Sequence, residues 1–103
     1  MESGRSGVRS SLAPQILRFF EMYYVYILYS EKCDRFYVGY SADVVQRLIR
    51  HNSGMVTATK NCRPYEIVAT KSFSTEKEAR VEEARIKKQK SRTYIINLIR
   101  GNW

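Results

Sequence analysis

Two short segments, YYVYILY at residues 23–29 and FYVGY at residues 36–40, constrain this chain more than anything else in it. Both are built from β-branched and aromatic residues, which favour strands. The first holds neither glycine nor proline and reads as a strand buried on both faces. SEKCDR between them supplies the turn, so the two segments form an antiparallel hairpin. Side chains alternate across a strand. With Val25, Ile27, Phe36 and Val38 on the core side, Tyr26, Tyr37 and Gly39 share the other. Glycine weakens a strand interior and marks a bulge, a bend or a close approach. At Gly39 it leaves an open floor beside two phenols, which is room for a ligand. The plainer reading makes the tyrosines strand formers packed under a helix.

The hairpin leads into SADVVQRLIRHN, residues 41–52, which reads as a helix. Ser41 is placed to cap it, Asp43 sits in its first turn, and Val44 and Leu48, joined by Val45 and Ile49, supply its apolar stripe. SGMVTATKNCRP is a basic, irregular connection, and YEIVATKSF is a third strand. STEKEARVEEARIKKQK is a second helix, opened by a capping box of Thr75 and Glu78. SRTYIINLIR is a third, packing through Tyr94, Leu98 and either Ile95 or Ile99. The class is α/β: a small three-stranded antiparallel sheet flanked by helices, in the order β-β-α-β-α-α. Spacing leaves the strand order open. A length of 103 residues fits one domain. The strong pattern begins at Met22, so the domain is set at residues 22–103. Residues 1–21, rich in Ser, Gly and Arg, read as a disordered extension or a mis-assigned start, with a short helix over residues 14–21 as the alternative.

The net charge of +8 is unevenly placed. Residues 1–43 hold five basic and five acidic side chains, whereas residues 44–103 hold thirteen and five. That polarity points to a polyanion, most simply nucleic acid. A membrane surface ranks lower, because the most basic segment, RIKKQKSR, carries a single aliphatic residue. No apolar run is long enough to span a bilayer. Cys33 and Cys62 make no metal or redox spacing and are expected as free thiols in the reducing cytoplasm.

Certain side chains stand out chemically. Arg47 and His51 are one helical turn apart and share a face, a pair able to grip a phosphate. In the second helix, steps of about 100° per residue align Glu83 with Ala79 and Ile86 on the apolar stripe. A carboxylate there is unusual unless paired or bound to a cation. An internal ion pair with Arg47 or a lysine is the bland alternative. Glu76, Glu78 and Glu82 read as ordinary capping or surface acids.

The ordered series Tyr26, Tyr37, Gly39, Arg47, His51, Glu83 resembles the GIY-YIG nuclease superfamily, and the chain looks most like its small single-domain members, similar to the GIY-YIG domain of excision-repair nucleases. The two naming motifs read YVY (Tyr24, Val25, Tyr26) and YVG (Tyr37, Val38, Gly39) here. Arg47 lies ten residues beyond the second motif tyrosine, and EARVEEARIKKQK resembles the family's helix with a metal-binding glutamate, which selects Glu83. TKNCRP also resembles the small members. The chain departs at Tyr24 and Val25, where the name has Gly and Ile, and at Tyr40, where the repair branch carries a lysine. Asn97 lies near the place of a family asparagine.

The resemblance implies a metal-dependent endonuclease that hydrolyses phosphodiester bonds in DNA, favoured over RNA, with one divalent ion, Mg²⁺. The implied roles run as follows. Glu83 holds the metal. Arg47 binds the phosphate. Tyr26 orients or deprotonates the water with help from Tyr37, and His51 relays a proton or binds phosphate. Gly39 gives clearance for the DNA backbone or the metal's waters, and Lys60, Arg63, Lys87, Lys88 and Lys90 hold neighbouring phosphates. Such contacts carry no sequence information, so binding is expected to be structure-selective or nonspecific, in DNA repair or recombination. The competing class is a non-catalytic nucleic-acid-binding module. A third is an interaction domain whose motif tyrosines are only core.

Overall fold

The structure is a computed structural model, and it describes residues 22–103. The expectations for residues 1–21 lie outside the described residues. The hairpin forms as its residue types demand: β1 spans Tyr23–Ser30 and β2 spans Arg35–Ser41, paired antiparallel. Strand β3, Glu66–Phe73, pairs antiparallel with the other side of β1, with an irregularity between Ile27 and Leu28. The order is therefore β2-β1-β3, with the most apolar strand in the centre and β2 on an edge.

Three α-helices complete the domain: α1 at Val44–Asn52, α2 at Glu76–Gln89 and α3 at Arg92–Asn97. A wider helical turn continues α3 over Leu98–Asn102. Thr75 caps α2 by accepting from the Glu78 amide at 3.1 Å. Glu78 does not reach back to Thr75; its carboxylate accepts from the Ser74 hydroxyl at 3.1 Å. At α1 the expected cap is displaced by two residues. Asp43 caps it, accepting from the Gln46 amide at 3.0 Å, while Ser41 accepts from the Asp43 amide and holds that cap in place. Two short polar side chains in sequence compete for one helix start, and the one next to the first helical residue takes it.

The sheet is covered on both faces. Val25, Ile27 and Val38 pack with Ala79, Ile86 and Leu98 of the later helices on one side. Tyr94, Ile95 and Ile99 join that cluster, so both isoleucines pack where one or the other was expected. Tyr26 and Leu28 pack on the opposite side with Cys62 and Tyr65, joined by Tyr37, Val44 and Leu48. This is the expected division of the hairpin's faces. Val45 and Ile49 instead stay exposed, so the stripe of α1 is narrower than its sequence suggests.

The cysteines correct the sequence reading. Cys33, in the hairpin turn, is disulfide-bonded to Cys62, with their Cα atoms 5.5 Å apart. Although 29 residues separate them, the hairpin turn and a 3-10 turn at Lys60–Cys62 fold against each other. The buried Ser30 hydroxyl donates to the Cys62 carbonyl at the same junction. No periodicity or spacing rule links two loops that meet only in the folded state. Among the described residues no helix is long and apolar enough to cross a membrane.

Candidate active site

Strand alternation carries Tyr26, Tyr37 and Gly39 to one face of the hairpin, as read from the sequence. Tyr26 stands directly opposite Gly39 across the two strands. A cleft of about 260 Å³ opens beside edge strand β2, and Tyr26, Tyr37, Gly39, Arg47 and Glu83 all line it. Helix α1 contributes Arg47 and α2 contributes Glu83, so the two helical layers meet at this edge of the sheet. Tyr40 and Glu76 also line the cleft, and the Tyr40 hydroxyl donates to Glu76 at 3.3 Å.

The open floor expected at Gly39 has an occupant from the chain itself. A Cβ at Gly39 would overlap the Tyr26 hydroxyl and the ring carbon that bears it. The glycine makes room for a phenol laid across it. Clearance for a DNA backbone or a metal's waters is not what the missing side chain provides.

Burial pushes the Tyr26 phenol up to about 12; the Arg47 guanidinium acts in the opposite direction, while Tyr37 and Glu83 push it further up. His51 is buried at 1% exposure behind the cleft. Its Nε2 lies 3.2 Å from the Tyr26 hydroxyl and its Nδ1 2.8 Å from the Thr59 hydroxyl. The Tyr37 ring centroid is 4.8 Å from the imidazole, edge-on. So enclosed, His51 has both ring nitrogens facing Tyr26 and Thr59 and shares no exposed face with Arg47. Burial holds its pKa below the usual histidine value, helped by the positive charges of Arg47 and Arg50.

That shift has a sign for stability. The unfolded chain takes up the histidine proton near the ordinary pKa of about 6.5, whereas the native imidazole resists it to lower pH. Stability is therefore present above about pH 6.5 and is lost as pH falls through the native value. The expected outcome is a melting temperature that drops on acidification from neutral pH, with a shallower drop in His51→Gln. Thermal melts across that range, compared between the two proteins, check it.

Glu83 is 18% exposed and pairs with Lys87 at 3.1 Å, the lysine lying one helical turn on. The Lys87 ammonium also sits 5.4 Å from the centroid of the Tyr37 ring. The half-inward position expected for Glu83 is observed, and so is a lysine partner. Arg47 is not its salt-bridge partner. Lys87 thus contacts two residues of the cleft wall, Glu83 and Tyr37, without lining the cleft itself. Lys60, Arg63, Lys88 and Lys90 are exposed but do not line it. The Arg63 guanidinium lies against Gly54, and Lys90 caps α2 with a left-handed backbone.

The donor set can accommodate a metal ion. Glu83 offers a hard carboxylate oxygen on the cleft wall. Among the described residues no three His, Cys, Asp or Glu side chains converge. A divalent ion here would take one protein carboxylate and keep several waters, as Mg²⁺ does.

Sequence reasoning missed Thr59 and Glu76. Thr59 carried no signal, since a threonine in an irregular loop has no period to place it. Glu76 lies seven residues before Glu83 on one helix, and that spacing puts both on one face.

Comparison with known proteins points to one family. Residues 22–95 match the GIY-YIG catalytic domain. A UPF0213 protein of Staphylococcus saprophyticus is 37% identical over 70 residues, 65% of this chain and 82% of that protein. UPF0213 proteins of Listeria monocytogenes (36% identical over 66 residues, 61% of this chain and 74% of that protein) and Bacillus pumilus (38% over 68 residues, 63% and 66%) are also similar. No solved structure matches the chain significantly.

Proposed function

The chain belongs to the GIY-YIG family, whose domain implies a nuclease, and from that premise we propose a metal-dependent endonuclease that hydrolyses phosphodiester bonds in DNA. DNA is favoured over RNA, and cleavage is structure-selective or nonspecific, in repair or recombination. The observation that carries this reading is the convergence of Tyr26, Tyr37, Arg47 and Glu83 on one cleft from a hairpin and two helices.

The chain's own groups divide the work. Arg47, always charged, binds the scissile phosphate and stabilises the charge that builds on it. Tyr26 orients the attacking water and takes its proton. With its pKa near 12 the phenol is itself protonated at neutral pH, so it must pass a proton on as it accepts one. The His51 Nε2, 3.2 Å away, is the acceptor within reach. Tyr37 holds the imidazole edge-on and faces the same cleft. Glu83 would hold the Mg²⁺, which when bound supplies positive charge at the phosphate and the leaving oxygen. Lys87 neutralises Glu83 until then and afterwards is free to meet a phosphate, while Lys60, Arg63, Lys88 and Lys90 contact the backbone further out. We place the protein in the cytoplasm.

A second reading rests on the Glu83–Lys87 pair. A carboxylate neutralised by a lysine also suits a binding module without catalysis. A cleavage assay with Mg²⁺ on plasmid, branched DNA and structured RNA separates the two, with Glu83→Ala purified identically. The nuclease reading expects metal-dependent cutting that falls by at least about 100-fold in the variant. Equal cutting by both proteins discards Glu83 as the metal residue. Salt-sensitive binding with no cutting by either favours the binding module or an enzyme that needs a partner.

A further inference from the structure

Behind the cleft, the second nitrogen of His51 has a partner that the cleavage chemistry so far leaves unused. Thr59 is fully buried, and its hydroxyl oxygen lies 2.8 Å from the His51 Nδ1. The same oxygen lies 3.4 Å from the Val56 carbonyl. A threonine hydroxyl has one proton to give and lone pairs to receive with. The Val56 carbonyl can only accept, whereas Nδ1 donates or accepts according to the tautomer, so a hydroxyl proton turned toward Val56 is the arrangement that makes both contacts hydrogen bonds. The lone pairs are then left for a proton on Nδ1. A neutral imidazole carries a single N–H, so Nε2 is bare, and it is Nε2 that faces the Tyr26 hydroxyl at 3.2 Å.

We propose that Thr59 fixes His51 in the Nδ1-protonated tautomer, which makes Nε2 the acceptor for the Tyr26 proton. Thr59 touches neither substrate nor metal in this scheme. It is a positioning residue acting through His51.

The loop is built to hold Thr59 in this place. Its amide donates to the Val56 carbonyl at 3.2 Å, and its carbonyl accepts from the Cys62 amide at 3.1 Å. Asn52, at the end of α1, clamps the far side of the loop with both halves of its side-chain amide. It donates to the Tyr65 carbonyl at 3.0 Å and accepts from the Tyr65 amide at 2.7 Å. The Cys33–Cys62 bond ties the same stretch to the hairpin turn. Without such restraint a histidine exchanges tautomers freely, and only one of them receives a proton from Tyr26.

This assignment deepens the nuclease reading and depends on it only for its effect on rate. His51 is the sole histidine of the chain, so the full-length protein with ¹⁵N-labelled histidine gives one unambiguous pair of ring signals. Recorded well above the usual histidine pKa, the wild-type spectrum is expected to show Nδ1 protonated and Nε2 bare. A protonated Nε2, or an even mixture, overturns the proposal with no variant needed. In Thr59→Val, which keeps the shape and removes the hydroxyl, the signals are expected to move toward the other tautomer. Cleavage is expected to slow by about 10- to 100-fold, the range seen when a histidine loses the partner that orients it. Thr59→Ser should restore both readouts. An unchanged tautomer in Thr59→Val also overturns the proposal. If the wild type shows the expected tautomer yet cuts nothing, the nuclease reading fails and the tautomer assignment stands.

Discussion

Tyr26→Phe is expected to slow DNA cleavage by about 10³- to 10⁴-fold, the upper range for losing a positioned proton-transfer group. The substitution removes one oxygen and leaves the ring lying across Gly39. Core packing of Tyr26 with Leu28, Cys62 and Tyr65 is kept, so the stability change is limited to one hydrogen bond, about 1 kcal/mol. The two effects therefore separate. Single-turnover cleavage measured beside urea unfolding checks them together. A rate within about tenfold of wild type, in a protein that binds metal and DNA, would remove Tyr26 from the proton path.

Gly39→Ala is expected to act on the same atom from the opposite strand. The new methyl group meets the Tyr26 phenol, which is backed by His51 and cannot swing away freely. Relief requires the ring to leave its place or the two strands to part. Overpacking of this kind costs about 1–3 kcal/mol, and the hydroxyl loses its line to Nε2. The variant should thus lose about 10³-fold in rate together with a lower melting temperature, although a lone alanine in an edge strand is ordinarily mild. Adding Gly39→Ala to Tyr26→Phe should lower the rate little further, because both act through one hydroxyl. Cleavage rates for the single and double variants test this. Rate losses that simply multiply would show that Gly39 acts on something other than Tyr26.

The sequence was most informative where periodicity applies. Residues 23–40 announced a hairpin and the faces of its side chains, and the wheel of α2 put Glu83 half inward. The resemblance to a nuclease family ordered these residues into a set. What stayed hidden depends on contacts between loops. The pairing of Cys33 with Cys62 needs the hairpin turn and the 3-10 turn to be adjacent, which no local pattern encodes. Gly39 was read as space for a ligand because sequence shows a missing side chain without showing what fills the gap. His51 looked like a phosphate ligand from its spacing to Arg47, yet burial decides its role, and burial on a short amphipathic helix rests on what covers it. Here the cover is the loop that carries Thr59.

Cys33 and Cys62 bracket Tyr37, Gly39, Arg47, His51 and Thr59 along the chain, while Tyr26 and Glu83 enter from outside. When the bond is closed, these five ride on one covalent ring. On the chain-entropy account a ring of this size stabilises the fold by about 3–4 kcal/mol through the unfolded ensemble. When the bond is open, Ser30 and the Asn52 clamp must hold the ring's ends unaided. One sequence thus describes two proteins of different durability, and the redox poise of its surroundings selects between them.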